Sequence, residues 1–444
     1  MTKINISADS QVILLVCSNL AIPKGMESEY KPLTLTEWNS LARKIADSSL
    51  KRPEAFFQVD NSEWQRELDL DKSQVERLDK LLTRRGSLAI ELKRLEDMGI
   101  WALTRSEPLY PERLKKLLID KAPVIIYGAG DIRLFDYQAV GIVGSREVDE
   151  AGIIYTEKLA RACVRDGLGV ISGGARGVDS IAQKAAIEAG GRVISILSNG
   201  LTAAVRKKAN RDAVLNHQLL LVSPYHPDAR FSTGAAMGRN KYIYALSRFA
   251  VVVSATEGKG GTWTGAVENM KNSWVPLFVR DSEDAPHGNH ALINKGAYGL
   301  PPGSFNEEHS LIKIFNDRVR EIKRSTVSNN ESFNNGNKMQ NMHEAAATDK
   351  ANELSEVHDL FEIVWPYIQR AFEANNERES HTLAEQFNVK DIQMEAWLQH
   401  AVDIGRLEKH SQPKRYLLNI DNEAKGNKDD RQGSLFPELD EKVV

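Results

Sequence analysis

Ala139-Val-Gly-Ile-Val-Gly-Ser-Arg146 and, a helical pattern later, Gly169-Val-Ile-Ser-Gly-Gly-Ala-Arg-Gly-Val-Asp179 each read as a short apolar strand that ends in glycines. Four more such runs follow: Arg192-Val-Ile-Ser-Ile-Leu197, Leu219-Leu-Leu-Val222, Phe249-Ala-Val-Val-Val253 and Val275-Pro-Leu-Phe-Val279. Strands apolar on both faces, alternating with helical periodicity, predict a doubly wound parallel sheet covered by helices on each side. A ligand of such a sheet sits at the carboxyl ends of its strands.

Working outward, Tyr110–Leu118 and Ala122–Tyr127 read as a helix and a strand leading into this α/β core, which spans 101–324. Residues 1–100 read as a helical N-terminal domain. Leu35, Trp38, Leu41, Ala42 and Ile45 fall on one helical face, and Val75, Leu78, Leu81 and Leu82 mark another helix. The Asn-rich stretch 325–354 has almost no large apolar residues and reads as a flexible linker. Residues 355–420 return to helical spacing and end in two short strand-like runs, the outline of a winged helix. The last segment, 421–444, reads as a disordered tail.

The 444 residues are 41% apolar and 27% charged, an ordinary globular composition. Cys17 and Cys163 match no zinc or disulfide spacing, which fits a reduced compartment. The apolar run Val12–Cys17 is too short to span a bilayer and lacks the flanks of a signal peptide, so a cytoplasmic location with no membrane partner is expected. The net charge of -3 hides an asymmetry: residues 139–250 carry 15 Lys and Arg against 9 Asp and Glu, while the tail is acidic. The basic excess lies among the glycine-rich loops.

Three of those loops join a strand end to a helix start: Gly144-Ser-Arg146, Ser172–Asp179 and Gly258-Lys-Gly-Gly-Thr-Trp-Thr-Gly265. Glycines let backbone N–H groups approach an anion, and a helix N-terminus adds about half a positive charge. Lys259 is followed by Gly260 rather than Ser or Thr, which excludes a P-loop, and the glycines at 173, 174 and 177 do not give G-x-G-x-x-G. ATP hydrolysis and dinucleotide redox chemistry are therefore disfavoured, and no cofactor or metal is implied. Further basic groups are Arg206-Lys-Lys208, Arg211 and Arg239-Asn-Lys241, the last expected just before a helix and strand. Asp179 is expected to cap its helix. No nucleophile–base pair emerges, so the chain reads as a binder rather than an enzyme.

Val143–Arg146, Ser172–Asp179, Gly238-Arg-Asn-Lys241 and Gly288-Asn-His-Ala-Leu-Ile-Asn-Lys-Gly-Ala297 together resemble the Rossmann-like core of the DNA-processing protein A (DprA/Smf) family. The resemblance covers about residues 95–300. It implies sequence-independent binding of single-stranded DNA, dimerisation through the α/β domain and loading of a bacterial recombinase. Carried over onto this chain, Ser145, Arg146, Arg176, Lys207, Arg239, Asn240 and Lys241 would contact DNA phosphates, and Gly173, Gly174, Gly260, Gly261 and Thr262 of the glycine-rich loops are expected to bind phosphate with them. The chain departs from the family at Gly174, where Leu is usual, at Gly200-Leu-Thr202, where Gly-Leu-Asp is expected, at Lys241, where Arg is usual, and at Gly261-Thr-Trp263. This marks a divergent member.

Gln432-Gly-Ser-Leu-Phe436 is similar to the peptide by which bacterial proteins dock on the sliding clamp, through Gln432, Leu435 and Phe436. Two other readings stand beside DNA binding. One is a regulatory or antitoxin-like partner of a neighbouring-gene protein in a phage-defence system. The other is a nucleotide sensor or hydrolase, since related phosphoribohydrolases use a similar glycine-rich loop, although here the first acid after it, Glu268, comes a turn late.

Overall fold

The structure, a computed structural model, describes residues 5–321 apart from 24, 27 and 306–309, and then 365, 368–369, 371–372, 377–387, 391–403, 406–411 and 414–418. The expected linker 325–354 and the tail with Gln432, Leu435 and Phe436 lie outside the described residues. The chain divides into two compact units, Met1–Met339 and Gln340–Val444.

In the first unit five helices come first: α1 (Ala8–Cys17), α2 (Leu35–Asp47), α3 (Asn61–Leu68), α4 (Lys72–Leu82) and α5 (Arg85–Asp97). Ser7 caps α1, Asp60 caps α3, and capping boxes at Thr34 and Asp71 start α2 and α4, so local polar residues set these boundaries. Then follow β1 (Trp101–Thr104), α6 (Glu112–Leu118), β2 (Ile125–Ala129), β3 (Ala139–Gly144), α7 (Glu150–Arg165), β4 (Gly169–Ser172), α8 (Val178–Glu188) and β5 (Val193–Ile196). The unit continues with α9 (Thr202–Val205), α10 (Lys208–Leu215), β6 (Leu219–Ser223), α11 (Thr233–Leu246), β7 (Phe249–Ser254), α12 (Gly260–Asn272), β8 (Leu277–Arg280), α13 (His287–Asn294) and β9 (Tyr298–Leu300).

The nine strands form one sheet in the order β1-β2-β6-β5-β4-β3-β7-β8-β9. From β6 to β9 every pairing is parallel, but β2 pairs antiparallel with β6 and with β1, so the sheet is mostly rather than wholly parallel. The antiparallel edge depends on a close fit. The Trp101 ring occupies the space of a Gly128 side chain, where a Cβ would lie 2.2 Å from it, and the Trp101 indole N–H donates to the Gly130 carbonyl at 3.1 Å.

One face of the sheet packs on α7 and α8 through Leu159, Ala160, Val178 and Ala182, and the same buried cluster takes in Val12, Leu15, Trp38 and Leu81 of the N-terminal helices. The other face packs on α6, α11, α12 and α13 through Leu114, Ile243, Ala266 and Leu292. Full burial of each such large side chain contributes about 1.5–3 kcal/mol. Arg84, also buried, closes the N-terminal helices by donating to the carbonyls of Leu15, Leu20 and Leu81; burial pushes its guanidinium down to about 10.

The second unit has its own small core of Trp365, Ile368, Phe372, Leu383, Met394, Leu398, Leu407 and Tyr416. Helices Ser380–Gln386 and Asp391–Asp403 pack on a three-stranded antiparallel sheet, in which the hairpin Leu407–Ser411 and Lys414–Leu418 is joined by Glu377–Arg378. The sequence indicates only the hairpin, because the third strand is two residues long.

Candidate functional site

The chain leaves β3 for β4 on one side, whereas β7 flanks β3 on the other, so the topological switch point falls between the carboxyl ends of β3 and β7. A cleft of about 460 Å³ opens there. Its walls are the loops after β3, β4 and β7, one side of α11 and the first turn of α12.

Hydrogen bonds fasten these walls to one another. Thr262 donates its hydroxyl to the Gly144 carbonyl at 3.0 Å, and the Asn240 amide donates to the Gly261 carbonyl at 3.0 Å. Gly177, at φ +78°, brings its backbone so close to the first loop that a Cβ would stand 2.3 Å from the Ser145 carbonyl oxygen. Behind the cleft, the buried Asn289 accepts from the Ala255 N–H at 2.9 Å and donates to the carbonyls of Val253 and Arg280, holding the ends of β7 and β8. Asn289 lies in the quoted 288–297 motif, but its role follows only from tertiary contact.

Of the residues singled out in the sequence, Ser145, Arg146, Arg239, Asn240, Gly260, Gly261 and Thr262 line the cleft together. Gly173 is buried beneath Arg239, where its missing side chain makes room: a Cβ would lie 1.9 Å from Arg239 Nη1. Gly174 and Arg176 are exposed on the loop after β4 without lining the cleft. Lys207 is exposed on the turn between α9 and α10, also outside it. Lys241 is half-buried and turned elsewhere, its ammonium 5.3 Å from the Tyr242 ring, as expected of a residue two positions from Arg239 on a helix.

Two sequence-based expectations need correction. Arg239, Asn240 and Lys241 lie within α11 rather than before it, because Ser232 caps the helix by accepting from the Ala235 N–H at 3.1 Å. Asp179 does not cap its own helix. Its carboxylate instead accepts from the N–H groups of Gly173 at 3.1 Å and Ala175 at 3.4 Å, fixing the preceding loop. Phe231 was not legible as a site residue. It is 52% exposed beside the cleft, and the Arg146 guanidinium lies 5.3 Å over its ring. Its position between Arg230 and the helix cap is the one signal the sequence carries.

The electrostatics centre on Arg239. It is only 4% exposed, and its Nε and Nη1 have no hydrogen-bond partner. Burial lowers the affinity of its guanidinium for a proton, opposed by nearby Asp179; burial likewise raises the Asp179 carboxyl, opposed by Arg239. A buried cation with open donors is strongly disfavoured unless an anion completes it.

Fold and site thus define an α/β protein with a cationic cleft at a sheet switch point. Residues 101–304 match the family described as DNA recombination-mediator protein A, and the chain belongs to this DprA/Smf family. Protein Smf of Synechocystis sp. is 30% identical over 203 residues, covering 44% of this chain and 50% of that protein. The DNA processing protein DprA of Streptococcus pneumoniae is 30% identical over 193 residues, covering 42% of this chain and 66% of that protein. The match therefore spans half to about two thirds of the length of these curated relatives. Among solved structures, DprA from Streptococcus pneumoniae aligns with a TM-score of 0.49 at 20% identity, covering 68% of this chain and 97% of that one. Among the described residues no helix is long and apolar enough to cross a membrane.

Proposed function

We propose that this protein binds single-stranded DNA without reading its sequence and acts, without catalysis of its own, in DNA processing and recombination. The observation that carries the reading is the convergence of three strand-end loops, Arg146 and the unpaired Arg239 on one cleft in a member of the DprA/Smf family. Further exposed cations lie on the segments that follow the neighbouring strands: Arg176 on the loop after β4, and Arg206, Lys207, Lys208 and Arg211 beyond β5. Exposed cations of this kind suit a flexible polyanion, and Phe231 offers a face for a base to stack on. Dimerisation through the α/β unit, recombinase loading and docking of Gln432–Phe436 on the clamp belong to this proposal as what the family resemblance and the tail motif imply. The second unit, with its helices before a hairpin, is read as a winged helix. Its segment Ile392–Val402 contains no Lys or Arg, which favours a protein partner over duplex DNA.

Fluorescence anisotropy with oligo-dT, a duplex competitor and two salt concentrations tests the reading. Binding should prefer the single strand and weaken as salt rises. Arg146→Ala and Arg176→Ala should each weaken it equally for any sequence and reduce the salt slope by about one phosphate contact. Absence of binding at low salt sinks the proposal and turns attention to a protein partner.

A further inference from the structure

We infer that the cleft is built for a phosphomonoester, the terminal phosphate of a mononucleotide or of a DNA strand end, in preference to an internal phosphodiester. The strand-end source rests on the DNA-binding reading above; the mononucleotide source does not.

Charge complementarity is the first argument. Arg146, Arg239 and Lys259 line the cleft against a single carboxylate, Asp179, leaving two positive charges in excess. A phosphodiester carries one negative charge, whereas a phosphomonoester carries about two at neutral pH. Only the monoester balances the cleft.

The second argument is the state of the buried donors. Asp179 directs its carboxylate at the N–H groups of Gly173 and Ala175, and no ion pair within 4.0 Å joins it to Arg239, whose Nε and Nη1 are buried without a hydrogen-bond partner in the wall of the cleft. The thirteen-residue α12 begins in the same cleft with no side chain capping it, so the N–H groups of its first turn around Gly260 and Gly261 are further donors. A terminal phosphate presents three free oxygens to such a set, an internal one only two. The cleft volume is also within the range of small-molecule sites, about 300–1,000 Å³.

The test compares dTMP, thymidine and the dinucleoside monophosphate dTpdT by thermal shift, and 5′-phosphorylated, 3′-phosphorylated and unphosphorylated oligo-dT by anisotropy. dTMP should raise the melting temperature well above the effect of dTpdT at the same concentration, while thymidine should not raise it. An end phosphate should tighten oligonucleotide binding about tenfold, the worth of one charge-assisted contact. Arg239→Met should abolish both effects, and the wild-type comparison decides the matter even if that variant folds poorly. A dTMP shift without any oligonucleotide binding would keep this site and remove the DNA-binding reading. Oligonucleotide binding indifferent to end phosphates, with no dTMP shift, would overturn the inference and leave the DNA-binding reading standing.

Discussion

Gly173 illustrates how a single residue can govern a site it does not line. Its missing Cβ is the space that Arg239 Nη1 fills. In Gly173→Ala the flexible end of Arg239 would have to move, so we expect a small drop in melting temperature but a loss of about tenfold in dTMP affinity; equal effects on both would refute this division. Phe231 makes the opposite case. Being half-exposed, it contributes little to stability, so Phe231→Ala should melt like the parent yet bind oligo-dT more weakly by about 1–3 kcal/mol, with Phe231→Trp restoring the affinity. The glycines and arginines of the loops were legible in the sequence because strand–glycine–helix order is local. Phe231 and the role of Asn289 were not, since only folding brings Phe231 beside the cleft and Asn289 behind it.

At the scale of elements, the helices announce themselves through caps and apolar faces. Trp38, Leu41 and Ile45 of α2 and Val75, Leu78, Leu81 and Leu82 of α4 are buried as their spacing predicts. The two helices are tied by Glu37, which closes the capping box on the Thr34 N–H at 2.6 Å and receives Arg77 Nη1 at 2.7 Å. Arg77 foremost, with the Thr34 contacts, holds this carboxyl down from 4.5 to about 2. A depressed folded-state pKa gives stability that is present above pH 4.5 and is lost as pH falls towards about 2. Glu37→Gln should therefore melt below the parent at pH 7, and the gap should close by pH 2; a gap that persists would contradict the ion pair's role. The strands from β3 to β8 were legible as continuous apolar runs, but β1 and β9, at the two sheet edges, carry no comparable pattern.

For the whole molecule, the two compact units have separate buried cores. Leu398, fully buried in the second, should on Leu398→Ala cost that unit about 2–5 kcal/mol. Calorimetry should show this as a lowered second-unit transition beside an unmoved first-unit one, and a shift of both would show that the units melt together. The N-terminal helices lack such independence, for Val12, Leu15 and Trp38 share one cluster with the sheet. Local pattern was enough for the sequence to determine the α/β class, the strand ends that bear glycines and the basic character of their loops, because these depend on residues close along the chain. Tertiary structure alone decided the antiparallel edge, the burial of Arg239 above Gly173 and the turning of Asp179 to its own loop. The first two join residues distant in sequence or depend on space that neighbouring elements leave, and the third depends on how a glycine turn folds back on its helix; periodicity carries no record of any of them.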